Sequence, residues 1–225
     1  MAVARGRDAL RGEVMAAARG RHAPPLEIRL PLQRERLLRA AAHEFARVGY
    51  SGTSSDSISR CASMSKATFY EHFADKEECI LALRDEATQI LYEALWDAAR
   101  AVPPDDAAER MRVSIRAFLQ TLADRPELTR TVLVEIIGAG PRATQSRDRI
   151  LQVFVETIDR ENESAAGRGL IARFSSPDDV IAVAGAAVEL ASRQVRLGLP
   201  ASMLDLQPVL ERLLFGLLAP MPAAS

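Results

Sequence analysis

Residues 49–77, GYSGTSSDSISRCASMSKATFYEHFADKE, concentrate hydroxyls, two lysines and two tyrosines in one short stretch. Such groups donate to phosphate oxygens and base edges. Chemistry that makes or breaks bonds needs other arrangements, and the chain lacks them. His22, His43 and His72 are dispersed and form neither an HExxH pair nor a metal-spaced cluster. Cys61 and Cys79 make no CxxC pair, so a disulfide framework or cysteine zinc site is not expected, and a reducing cytoplasm suits the chain. There is no GxSxG elbow, no GxxxxGK[ST] loop and no GxGxxG turn, and Gly167-Arg168-Gly169 is too short to cradle phosphate. Glu161 and Glu163 read as a solvated helix end. We therefore expect no enzyme, no cofactor and no metal.

Two short helices around a tight turn must carry the polar run. Thr53 or Ser54 can cap the first, and Thr53 followed by Asp56 fits a capping box. Ile58 and Ala62, four apart, share one face. Ala62-Ser63-Met64 forms the turn, Ser65 caps again, and the second helix runs from Lys66 to Phe73. Phe69 and Phe73 face inward, which leaves Lys66, Ala67, Tyr70 and His72 outside, where a major groove would meet them. This is the layout of a DNA-reading helix-turn-helix.

Residues 32–79 resemble the DNA-binding region of the TetR/AcrR family of bacterial repressors. The matching elements are Arg36-Leu37-Leu38-Arg39-Ala40-Ala41 with Phe45, the Gly49-Tyr50 stop, Thr53-Ser54, Ile58, Met64 through Tyr70, His72-Phe73 and Lys76-Glu77. The resemblance implies an all-α homodimer: an N-terminal operator-binding domain of three helices, then a larger ligand-sensing domain, about nine helices in total. It also implies that His72 approaches the phosphate backbone. Ser63 stands where the family usually places glycine, so a left-handed turn costs more here. Asp56 stands where many relatives carry a basic base-reading residue, and it is read as a cap.

On this reading Lys66 donates to guanine acceptors and Ala67 touches a thymine methyl. Ser54, Ser55, Thr68, Tyr70 and Lys76 take phosphates, with Thr53 and Ser65 at the two helix starts completing the set, and Lys76 also ties the head to the domain behind it. Paired heads would lie roughly 34 to 36 Å apart on a palindromic operator.

Composition allows a local binding surface and no global one. The 225 residues are 48% hydrophobic with a net charge of -1, enough for a substantial core and too neutral for a general attraction to nucleic acid. Residues 1–30 carry six arginines against Asp8, Glu13 and Glu27, and residues 31–76 carry seven basic against five acidic side chains. The remainder is acidic, as expected when one end of a molecule meets phosphate. We expect a flexible basic extension over 1–30, the helix-turn-helix domain over 31–76, an effector and dimerisation domain over 77–219 and a tail over 220–225. Neither a membrane span nor a signal peptide is read from the sequence.

From Leu32 onward the pattern is helical. Helices are expected to Gly49, over Lys76 to Arg100, from Asp105 or Asp106 to Leu122, Pro126 to Ile137, Arg142 to Asn162, Pro177 to Leu197, and from Asp205. The middle helices offer Tyr92, Trp96, Met111, Ile115, Phe118, Phe154 and Ile158 as an apolar effector pocket, with Arg116, Gln120, Glu135 and Glu189 as candidate polar groups. Residues Val180 to Val188 are apolar all round, and Leu206, Leu210, Leu213 and Leu217 repeat at helical spacing. By resemblance this pair, with Ile181, Ala184 and Val188, forms a four-helix interface with a second copy. An all-helical ligand carrier or interaction dimer that has lost specific DNA reading is the alternative.

Overall fold

The computed structural model describes residues 25–218, so residues 1–24 of the extension expected over 1–30 and the tail expected over 220–225 lie outside the described residues, while residues 26–30 are helical. Among the described residues there are nine α-helices: α1 (Leu26–Gly52), α2 (Ser55–Cys61), α3 (Lys66–His72), α4 (Lys76–Arg100), α5 (Ala107–Ala123), α6 (Pro126–Leu133), α7 (Pro141–Gly167), α8 (Pro177–Leu197) and α9 (Gln207–Gly216). Short 3-10 turns at Glu135–Gly138 and Met203–Leu206 follow α6 and precede α9. The described residues form no β-sheet, only an isolated bridge between Phe174 and Leu218. None of their helices is long and apolar enough to cross a membrane.

Helix α1 opens at Leu26, earlier than the periodicity suggested, because Pro25 sets the entry at φ -48 and Pro31 is absorbed within the helix. Proline there leaves one carbonyl without its helical N–H, which hides a helix from a search for breakers. The helical geometry ends at Gly49, whose φ of 77 and ψ of 166 turn the chain. A Cβ at that position would lie 3.2 Å from Glu135 Oε2, so both conformation and space favour glycine. Helix α7 likewise continues past Asn162 to Gly167. Asn162 is buried, and its amide holds the following loop by donating to Ala172 O at 3.0 Å and accepting from Phe174 N at 3.1 Å.

The reading head and the body share a core. Leu37, Leu38 and Phe45 of α1 pack with Ile58, Phe69 and Phe73, and the same cluster takes in Ile80 and Leu83 of α4, Ile136 and Ala143. Packing therefore runs straight through position 76. A second cluster joins Leu119 and Leu122 of α5 to Ala191, Met203, Leu206 and Leu210, and a third joins Val155, Phe174, Val180, Val183, Ala184 and Leu214.

Candidate nucleic-acid interface and ligand cavity

The turn between α2 and α3 is closed by hydrogen bonds from Met64 N to Ser59 O (2.8 Å) and from Ser63 N to Arg60 O (3.0 Å). This is the Schellman arrangement, and Ser63 occupies its left-handed position at φ 55. Arg36 Nη2 secures the turn by donating to Ala62 O at 2.7 Å. Ser65 caps α3, accepting from Thr68 N at 3.0 Å.

On the outer surface the structure brings together Ser54, Ser65, Lys66, Ala67 and Tyr70 as exposed residues, with Ser55 and Thr68 half-buried beside them. Tyr70 is 50% exposed, its ring edge-on to the buried Phe69 at 5.5 Å. Three residues expected at the duplex are placed otherwise. Thr53 is 3% exposed, and its hydroxyl donates to Gly49 O at 2.8 Å, so it closes the end of α1. Lys76 Nζ donates to Tyr50 O (2.8 Å) and Thr53 O (3.0 Å) and lies over the Tyr50 ring at 4.2 Å, which makes it a clamp between α1 and α4 with no ammonium left for phosphate. His72 is half-buried beside Phe73, with Nε2 buried and unpartnered.

Of the two expected caps Ser54 is the one formed, and the capping box moves by one residue. Ser54 accepts from Ser57 N and its own N–H donates to Ser57 Oγ, so the box is Ser54–Ser57. Asp56 is not the cap; it holds Lys66 Nζ at 3.2 Å, both side chains half in solvent.

Burial pushes the His72 imidazole below its usual value; nearby Glu71 opposes the shift and Arg34 adds to it. A group more easily protonated unfolded than folded contributes stability above the unfolded value of about 6.5, lost as pH falls from there through the lowered folded value. Melting temperature should thus fall more steeply from about pH 7 to 5 in the wild type than in His72→Gln; equal slopes would remove this assignment. Both cysteines stay thiols: desolvation raises Cys61, and burial pushes Cys79 up to about 12.

Behind the head lies a cavity of about 410 Å³, walled by α4 to α9. All seven residues expected of an apolar pocket line it: Tyr92, Trp96, Met111, Ile115, Phe118, Phe154 and Ile158. Tyr92 and Phe154 stack at 4.8 Å. The polar candidates are corrected. Arg116 is exposed away from the lining, Gln120 bonds Asp124 at 2.7 Å, and Glu189 pairs with Arg196 at 2.8 Å. Glu135 accepts from Tyr50 N at 3.1 Å and pairs with Arg130 at 3.4 Å, bracing the head. The polar lining comes instead from residues such as Arg84, Thr88, Arg110 and Ser114. Spacing could have found the first two, because Thr88 and Arg84 lie four and eight residues before Tyr92.

The expected dimer stripe is partly internal. Ala184, Leu206 and Leu210 are buried in their own chain's clusters, so they are not available to a second copy. Val188 borders the cavity, and Leu213 and Leu217 pack half-buried near Phe174. Ile181 remains 45% exposed.

Residues 37–83 match the bacterial regulatory proteins of the tetR family. The helix-turn-helix head is similar to the DNA-binding region of that family. An HTH-type transcriptional regulator of Haemophilus influenzae is 25% identical over 126 residues, 56% of this chain and 60% of that relative, so the match spans under two thirds of the relative's length. The TetR-like fold extends beyond the head. The fatty acid degradation regulator FadR from Bacillus halodurans superposes with a TM-score of 0.73 at 15% identity, covering 88% of this chain and 97% of that one. FadR from Bacillus subtilis, in complex with stearoyl-CoA, gives 0.70 at 17% identity over 82% and 99%.

Proposed function

We propose that this chain is a ligand-responsive transcriptional repressor, a dimer that binds a palindromic operator and leaves it when a largely apolar ligand enters the cavity. The observation that carries this reading is a shared wall: Leu128 and Ile136 line the cavity and also pack in the core of the reading head. A ligand between α4, α6 and α7 presses on side chains that position α1 to α3. Helix α4 adds a second connection, because Lys76 clamps Tyr50 and Thr53 at its start while Arg84 to Ala99 form cavity wall further along. For the switch to work, the ligand must favour the head arrangement that fits DNA poorly; tight binding to both arrangements shifts nothing.

The cavity size falls in the range of small-molecule sites, about 300 to 1,000 Å³. Exposed Arg125, Arg147 and Arg168 border the apolar interior, a combination suited to a hydrocarbon chain with an anionic extension. The stearoyl-CoA bound by the Bacillus subtilis relative supports an acyl thioester of this kind. The second copy of the chain would meet α8 and α9 along Ile181 and Ala182, which are exposed, with Gly185, Leu213 and Leu217 at the margin.

Selection from random duplex DNA tests the reading. The expected product is an inverted repeat with half-sites about one helical turn apart or slightly more. Failure to enrich any sequence would instead favour a helical ligand carrier, with Lys66 permanently held by Asp56.

A further inference from the structure

Several polar groups in the cavity wall are satisfied by their own helices or turns. Thr88 Oγ1 donates to Arg84 O, Ser114 Oγ to Arg110 O, and Arg110 Nη1 to Ala99 O and Val102 O. Arg84 differs. Its Nε and Nη2 hold the Asp85 carboxylate at 3.2 and 2.6 Å, while Nη1 is buried with no acceptor. The side chain is only 13% exposed, and the residue lines a largely apolar cavity. The unmet N–H belongs to a guanidinium, a strong donor to an oxygen acceptor.

Its place along α4 gives this donor a direction. Leu83, the preceding residue, is in the core of the reading head, and Lys76 lies eight residues earlier, about 12 Å along the helix axis. Arg84 therefore marks the end of the cavity nearest the head, while Tyr92, Leu95 and Trp96 continue the wall away from it.

We propose that Arg84 Nη1 binds the acyl oxygen, carboxylate or thioester carbonyl, of a ligand whose hydrocarbon chain fills the cavity, and so determines which amphiphiles are recognised. The inference rests on the ligand-cavity reading above and adds the residue and the group it selects. It also explains why a sensor would place this donor in α4: an oxygen held by Arg84 acts on the helix whose first residue clamps the head.

Trp96, the only tryptophan, lines the cavity and is 62% exposed, so its emission reports occupancy. Dodecanoate, dodecanol and dodecanoyl-CoA are titrated against wild type and Arg84→Met, with melting temperature checking the fold of the variant. Dodecanoate should bind the wild type about tenfold or more tightly than dodecanol, the worth of a charge-assisted hydrogen bond, and the variant should bring the two within about twofold. A parallel loss of dodecanoyl-CoA binding in the variant assigns the thioester carbonyl to Arg84; a loss confined to dodecanoate assigns the free acid. Equal wild-type affinities for dodecanoate and dodecanol, or a preference that survives in Arg84→Met, overturn the anchor while leaving an apolar cavity in place. Binding of none of the three probes to the wild type removes the acyl reading and the anchor with it. If Arg84→Met does not fold, Arg84→Gln takes its place in the same comparison, and equal wild-type affinities for acid and alcohol still overturn the anchor.

Discussion

Phe69→Ala should cost about 3 to 5 kcal/mol of folding stability, the range for truncating a buried aromatic. The ring is fully buried in α3, packs on Phe73 at 5.5 Å, and carries the edge contact of Tyr70. Little room exists for collapse into the space, because Leu37, Phe45 and Ile58 belong to the same cluster and two helices are fixed around it by the Ser63 turn. Since domains hold only about 5 to 15 kcal/mol in total, such a loss takes much of the margin. The shared core extends the effect beyond the head, as Ile80, Leu83 and Ile136 pack in the same cluster. Urea denaturation of the variant should show a clearly lower midpoint, and Phe69→Leu should recover part of it. A change under about 1 kcal/mol would mean that this core does not hold the head together.

Tyr70→Ala separates recognition from folding. The side chain is half exposed on α3 and makes an edge contact with Phe69, so its removal should cost less than about 1 kcal/mol of stability. Operator affinity should fall about thirtyfold, near 2 kcal/mol, if the phenol meets the duplex as the outer face suggests. Anisotropy titration against the selected inverted repeat gives the number. Unchanged affinity with an unchanged melting temperature would move the reading surface elsewhere.

The head was legible in sequence where its chemistry is local. Phe69 and Phe73 announce the inner face by spacing, Ser65 announces a cap, and Ser63 was expected in the strained turn conformation that it occupies. Periodicity also found the seven apolar residues of the cavity, because side chains three and four apart share a helix face. Partners were not legible. Lys76 and Lys66 are both lysines near the head, yet one clamps backbone carbonyls while the other meets Asp56. Glu135 was expected in the pocket and braces Tyr50, 85 positions away in sequence. The stripe at Leu206 and Leu210 was correct as a buried stripe, but spacing does not say whether a helix is covered by its own chain or by another copy. In each case the missing information is a contact distant in sequence.

The measurement that bears most directly on regulation is operator affinity with and without ligand. Wild-type protein is titrated into labelled inverted-repeat duplex, then again with dodecanoyl-CoA at a concentration that saturates the Trp96 signal. Release by about a hundredfold, corresponding to roughly 2.7 kcal/mol of coupling between cavity and head, is the expected result. Unchanged operator affinity while Trp96 reports a filled cavity would contradict the claim that the shared wall at Leu128 and Ile136 transmits occupancy to the DNA-reading helices.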